Sequence, residues 1–169
     1  EPRRWSPERR VSAVALRAGQ RSAAALRWKG FIHLRRGRAE QALLDLEAAC
    51  AAEPKRALSW HWKGEALAAL GRLDEAVDAV TKSLRLDPGQ AEPYLTLASL
   101  DAARGRAKAA LAAYAAAQRA DPRSARVFGE RGCLLLALVG GREARKQLEI
   151  SLSLDGRDAG RWADLSECL

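Results

Sequence analysis

The sequence of 169 residues has few of the residue types that build β-sheets. Aromatic residues make up only 5% of it and β-branched residues are scarce, whereas alanine, leucine and arginine dominate. This composition favours helices and argues against a sheet. No stretch reaches the roughly 18 apolar residues that a membrane-spanning helix needs, and no signal-peptide layout is present. We therefore expect no membrane partner.

Cysteine is rare and methionine is absent. The three cysteines, Cys50, Cys133 and Cys168, form no C-x-x-C pair, and their odd number favours reduced thiols. Reduced thiols are typical of an intracellular setting, so we predict a cytoplasmic location. We expect Cys133 to be a small buried hydrophobe, because no activating base is evident beside it. The lack of methionine predicts an excised domain of a larger protein or a trimmed chain.

Signatures of catalysis are also missing. The sequence has no Gly-rich phosphate loop, no G-x-S-x-G and no H-E-x-x-H. His33 falls on the packing side of its helix and is interpreted as a core histidine. His61 and Glu65 are one helical turn apart, but two ligands without a third do not hold a metal, so we expect an ion pair or a partner contact. The sequence predicts no enzyme, no cofactor and no metal site.

The net charge of +8 comes from 29 basic and 21 acidic residues. It is uneven: residues 1–22 hold six arginines and two acids, whereas residues 57–90 hold four basic and five acidic residues. Such a balance is compatible with an acidic partner. Arginines at the predicted turns could bind phosphates or an acidic surface, although solvated turns are the preferred interpretation. They are Arg38, Arg72, Arg106 and Arg142, joined by Arg35, Arg36 and Arg104.

Glycine, proline and alanine recur at an interval of thirty-four residues. The recurring positions are Gly37-Arg38, Gly71-Arg72 and Gly105-Arg106; Pro54, Pro88 and Pro122; and Ala42, Ala76, Ala110 and Ala144. Each unit, such as residues 57–90, has the pattern of two amphipathic helices joined by a tight turn. A fixed period of this length is the signature of a helical solenoid.

At these residues the chain resembles the tetratricopeptide repeat family, whose pattern has an aromatic residue at the fourth place and a small one at the eighth. The fourth place holds Leu26, Trp60, Tyr94, Phe128 and Trp162, and the eighth holds Gly30, Gly64, Ala98, Gly132 and Ser166. Leu26 is not aromatic, and Gly156 replaces the last proline. Gly140-Gly141 displaces the turn glycine of the fourth repeat, so we expect a looser turn there.

The resemblance implies an all-α fold, a right-handed superhelical solenoid of antiparallel helix pairs. Four repeats are expected at residues 23–56, 57–90, 91–124 and 125–158, preceded by a half repeat or capping helix at 1–22 and followed by a capping helix at 159–169. We favour the half repeat. The predicted first helices lie near 24–36, 58–70, 92–104, 126–138 and 160–168, and the second helices near 39–52, 73–86, 107–120 and 142–154. No linker divides the array, so one domain is expected.

The resemblance further implies a concave groove lined by the second, fifth, ninth and twelfth places of the first helices, which share one helix face. These places hold Ala24, Arg27, Phe31 and Leu34; Leu58, His61, Glu65 and Ala68; Glu92, Leu95, Ser99 and Ala102; and Arg126, Gly129, Cys133 and Leu136. Trp28 and Trp62 hold the sixth places at its edge, as groove or as packing residues. Trp60 and Trp162 are interpreted as structural. The predicted partner-binding groove comprises Arg27, Phe31, Leu58, His61, Trp62, Glu65, Leu95, Ser99 and Arg126.

Apolar side chains with few charges are typical of a groove that binds a peptide or a helix. We predict a non-catalytic protein–protein interaction scaffold, in which Arg27 and Arg126 pair with acidic side chains of the partner. Replacing Trp62 or Phe31 by alanine should weaken binding by about 2 kcal/mol without unfolding the chain.

The family's carboxylate-clamp subset, which binds the acidic tails of heat-shock chaperones, is not matched. Its positions hold Arg27, Phe31, Glu92 and Thr96 here, and only Arg27 is chemically close. Alternatives are a regulatory or targeting appendage of a larger enzyme and, less favoured, nucleic-acid binding along the arginine-rich edge. Nucleic-acid modules usually interleave basic residues with exposed aromatic ones, a pattern that this edge lacks. Self-association is left open.

Overall fold

The structure, a computed structural model, describes residues 22–155, which form eight α-helices and no strand in that range. The helices are α1 (Ala23–Arg35), α2 (Ala39–Ala52), α3 (Ala57–Ala69), α4 (Leu73–Leu86), α5 (Ala91–Ala103), α6 (Ala107–Ala120), α7 (Ala125–Leu138) and α8 (Arg142–Leu154). Every one agrees with its predicted bounds to within one residue at each end. The interpretations of residues 1–21 and 156–169 lie outside the described part.

Contacts group the chain into two compact units, Glu1–Asp87 and Pro88–Leu169. In the first unit α1 packs on α2 and α3 packs on α4, and both α1 and α2 contact α3. In the second unit α5 packs on α6 and α7 on α8, and α6 also contacts α7. Each unit therefore contains two of the predicted helix pairs.

The glycine turns end the first helix of each pair. Gly37, Gly71 and Gly105 have φ angles of 72°, 75° and 71°, which glycine adopts without the steric cost of a Cβ. The residue after each glycine donates its backbone N–H back to the helix, as Arg38 N does to His33 O at 2.9 Å. The fourth repeat differs, because Gly140 and Gly141 both have positive φ, 63° and 84°. The helices thus end where the sequence period places glycine.

Each pair is held together by a small residue on its first helix and a large residue sixteen positions later on its second helix. A Cβ built on Gly30 would lie 2.6 Å from Cγ of Leu46, and one on Gly132 would lie 2.8 Å from Cγ of Leu148. Both leucines are fully buried. In the third repeat the same two places hold Ala98 and Tyr114, which share one buried cluster. The missing Cβ lets the helix axes approach closely.

Serine hydroxyls tie the two ends of alternate pairs. Ser83 Oγ donates to Ala57 O at 2.8 Å, and Ser151 Oγ donates to Ala125 O at 2.7 Å. Each bond joins the start of a first helix to the end of a second helix, so the two helices of a pair are antiparallel. The first and third repeats have alanine at this place.

Candidate functional site

Three aromatic rings meet between α1 and α3, and we call them the aromatic cluster: Trp28, Phe31 and Trp62. Phe31 stacks on Trp62 with centroids 4.5 Å apart and ring planes inclined by 30°. Trp28 contacts Trp62 at 5.1 Å and meets Phe31 edge-on at 5.8 Å. Offset and edge-to-face arrangements at these distances are favourable for aromatic pairs. The cluster therefore joins two first helices of the first unit.

The two tryptophans at the sixth place differ in exposure. Trp62 is 8% exposed, because Trp28 and Phe31 of α1 lie against it. Trp28 is 37% exposed and is one of the few large apolar side chains at the surface of the described part. Trp62 thus packs between helices, while part of the Trp28 side chain lies at the surface.

Arg27 is the most buried cation of the predicted groove, at 6% exposure. Its Nη1 donates to Oε2 of Glu53 at 2.9 Å, which ties α1 to the end of α2. Its buried Nε has no hydrogen-bond partner in the described part of the chain. The guanidinium is already neutralised by a carboxylate within the fold.

His61 and Glu65 lie one turn apart on α3, with Nε2 and Oε1 3.5 Å apart. Burial lowers the pKa of His61 to about 4 from its ordinary 6.5. The imidazole is therefore neutral at neutral pH, and its contact with Glu65 is not a full ion pair. Leu58, on the same helix, is half-buried.

Asp45 of α2 faces two basic side chains of α1. Lys29 Nζ donates to its Oδ1 at 2.9 Å, and His33 Nδ1 lies 2.9 Å from its Oδ2, in an orientation that makes no hydrogen bond. Asp45 is 8% exposed, and the Lys29 ammonium compensates this buried carboxylate. His33 belongs to the contact between α1 and α2, but it is half-buried and its Nδ1 makes no hydrogen bond among the described residues, unlike the satisfied core histidine that was expected.

Trp60 fastens the loop between α2 and α3. Its indole Nε1 donates to Pro54 O at 2.9 Å, and Lys82 Nζ lies 3.6 Å from the ring centroid, a cation–π contact. Lys63 Nζ lies 5.5 Å from the same ring and 3.1 Å from Glu47 Oε1. Trp60 therefore serves the fold of the first unit.

The groove residues predicted in the second unit have three different environments. Leu95 is 1% exposed and lies in the buried cluster of that unit. Ser99 is exposed, and its Oγ donates to Leu95 O at 3.1 Å. Arg126 is exposed and forms ion pairs with Glu92 at 3.0 Å and Glu130 at 2.7 Å.

Turn arginines are exposed at Arg38, Arg72, Arg106 and Arg142. Arg72 donates two hydrogen bonds of 2.6 Å each to Glu75.

Cys133 is half-buried, rather than buried as had been expected from the sequence. Within residues 22–155 no helix is long and apolar enough to cross a membrane, and no three side chains of the metal-binding types come together.

The sequence did not predict the ion pairs and hydrogen bonds between side chains that lie far apart in the chain. They include the contacts of Glu53 and Asp45, and a chain of hydrogen bonds from Arg131 through Gln118 to Gln147. The Glu92–Arg126 pair could have been found, because the two residues hold the second place of successive repeats and have opposite charge.

Comparison with known proteins shows similarity to one repeat family over part of the chain and to solved structures over most of it. Residues 57–90 match the family described as Tetratricopeptide repeat. A sequence comparison with curated proteins finds no match. Many solved structures share the fold. A thermophilic TPR protein of Thermus thermophilus has a TM-score of 0.79 at 21% identity, over 92% of this chain and 86% of its own.

Two further structures illustrate the range of the fold. MamA has a TM-score of 0.73 at 20% identity, over 89% of this chain and 88% of its own. YrrB, described as a TPR protein with an unusual peptide-binding site, has a TM-score of 0.73 at 18% identity, over 96% of this chain and 84% of its own. The resemblance to the tetratricopeptide repeat family and the all-α fold of paired helices are confirmed.

Proposed function

We propose that the chain is a non-catalytic scaffold whose first unit binds a segment of a partner protein on the aromatic cluster. The observation that carries the proposal is the exposure of Trp28, 37%, on a ring held in place by two others. Rigid aromatic anchors contribute much of the binding energy of protein interfaces, because little conformational entropy is lost when they are covered. The solved relative with a peptide-binding site supports the proposal at the level of the fold.

This proposal assigns the binding contact to fewer residues than the predicted groove contained. Phe31, Leu58 and Glu65 are half-buried and would line the floor beside Trp28, with His61 and Trp62 beneath. Arg27 would support the site through Glu53 rather than meet the partner. Ser99 and Arg126 stay a prediction of contact on the second unit.

The experiment is a selection of random peptides displayed on phage against the full chain, followed by fluorescence anisotropy of the selected peptides. Trp28→Ala should weaken their binding by about 2 kcal/mol, a factor of about thirty. The matched control is Leu44→Ala, which removes an apolar side chain of α2 that is 68% exposed. A selection that yields no peptide sensitive to Trp28→Ala would refute the proposal.

A further inference from the structure

The helix that carries Trp28 has basic side chains and no acidic one. From Ser22 to Ala39 the sequence contains Arg27, Lys29, His33, Arg35, Arg36 and Arg38, with no Asp or Glu. The first three face carboxylates within the fold, through Glu53 and Asp45. The last three are exposed and form no ion pair with any residue that the structure describes. Positive charge that no described carboxylate compensates is thus concentrated at the end of α1.

Arg35 lies on the same helix face as the exposed indole. Trp28, Phe31 and Arg35 are spaced i, i+3 and i+7, which places them above one another on one side of α1. Seven residues of helix rise by about 10 Å, the length of a few residues of a bound segment. The apolar anchor and the exposed guanidinium are therefore arranged to be contacted at once.

We infer that the aromatic cluster binds an acidic protein segment, in which an aromatic or large aliphatic side chain packs on Trp28 and a carboxylate pairs with Arg35. The inference rests on the function proposed above and names the chemistry of its partner. Arg27 and Arg126 were predicted for the acidic contact, but both already hold carboxylates of this chain. Arg35 is the cation on the Trp28 face with no such partner among the described residues, and Arg36 and Arg38 add to the local positive potential.

Charge argues against two other occupants. The chain's own residues 1–22 carry six arginines against two acids, and a second copy of the chain carries a net charge of +8. Both would bring like charge to the end of α1.

A single-stranded nucleic acid could also stack a base on Trp28 and pair a phosphate with Arg35. However, half-buried Phe31 and Leu34 on the same helix add apolar surface, which an aliphatic or aromatic side chain covers better.

The test uses the selection described above and asks for the composition of the retained peptides. We expect enrichment in Asp and Glu on one side of an aromatic or leucine residue. Arg35→Ala should weaken these peptides about two- to fivefold, the range for a partly exposed ion pair. Arg35→Glu should weaken them further, because it replaces attraction by repulsion. Binding should also weaken as salt is raised.

The matched control is Arg106→Glu, which makes the same change of net charge at an exposed turn of the second unit. The inference would be overturned if the peptides need Trp28 but are not enriched in acidic residues. It would also be overturned if they bind Arg35→Glu and Arg106→Glu equally. Either result leaves the proposed function standing. No Trp28-dependent peptide at all would overturn both. An oligo(dT) probe that binds through Trp28 and Arg35 where acidic peptides do not would replace the protein partner by a nucleic acid.

Discussion

Val80 occupies the space in which a side chain of Gly64 would begin. A Cβ on Gly64 would lie 2.4 Å from Cγ2 of Val80, well inside van der Waals contact, and Val80 is fully buried. The two residues are the eighth and twenty-fourth of their repeat and join α3 to α4. The interlocking of these helices thus depends on the absence of one methyl group.

Gly64→Ala should therefore destabilise the first unit, although alanine is the better helix former by about 1 kcal/mol. The expected loss is about 1–3 kcal/mol of unfolding free energy, because Val80 or the helix axis must move. Urea unfolding followed by far-UV circular dichroism measures it. In a Val80→Ala background the same substitution should cost much less, because the clash with Cγ2 is gone and the contact with Ala76 O at 3.2 Å remains. Equal costs in both backgrounds would show that the contact does not limit the approach of α3 and α4.

The tryptophans at the two sixth places should separate stability from binding. Trp62→Ala is expected to cost about 3–5 kcal/mol of unfolding free energy, because it empties a buried site beneath Phe31. Trp28→Ala should cost less, since 37% of its surface is already in water and its truncation leaves no enclosed cavity. Urea unfolding of both variants tests the difference. Similar losses for the two would mean that Trp28 is as much a core residue as Trp62.

The contrast also revises an expectation drawn from the sequence. Trp62→Ala was expected to weaken binding without unfolding the chain, but the burial of Trp62 makes it a poor binding probe. Trp28→Ala is the cleaner variant. The sequence could not distinguish them, because both occupy the sixth place, and only the packing of α1 against α3 covers one and not the other.

How far the sequence determines this structure depends on the range of the interaction. Helix ends were predictable because Gly37, Gly71 and Gly105 act locally, through a backbone conformation that other residues disfavour. The Arg27–Glu53 pair was not, because it joins residues 26 positions apart and has no counterpart in the other repeats. Periodic features follow from the sequence pattern, whereas side-chain pairs particular to one repeat depend on how the helices pack.

The serine ties offer a third prediction. Ser83→Ala removes the hydrogen bond to Ala57 O and should lower the unfolding free energy by about 0.5–1.5 kcal/mol, the usual net value of such a bond. The effect should stay small because Ala49 and Ala117 hold the same place in other repeats. Ser153→Ala is the control, since Ser153 is exposed and its hydroxyl bonds within its own helix, to Ile150 O. Thermal or urea unfolding that ranks Ser153→Ala as the more damaging variant would contradict this prediction.

His61 should make stability depend on pH below neutrality. Its pKa is about 4 in the folded chain and 6.5 in the reference state, because burial disfavours the charged imidazole. Between these values the unfolded chain binds a proton that the folded chain does not, so stability falls as pH falls through this window. The stability that depends on a neutral His61 is fully present above pH 6.5 and is lost as pH falls to about 4.

From pH 7 to pH 5 this single group should remove about 2 kcal/mol of unfolding free energy, at about 1.4 kcal/mol per pH unit below the unfolded value. Urea unfolding at both pH values measures the loss. His61→Leu keeps an apolar side chain of similar size in the site and cannot titrate, so its stability should fall less over the same interval. If the wild-type chain and His61→Leu lose the same amount, the imidazole is already solvated or charged in the folded state. A difference in the expected direction would show that His61 is buried and neutral in the folded chain.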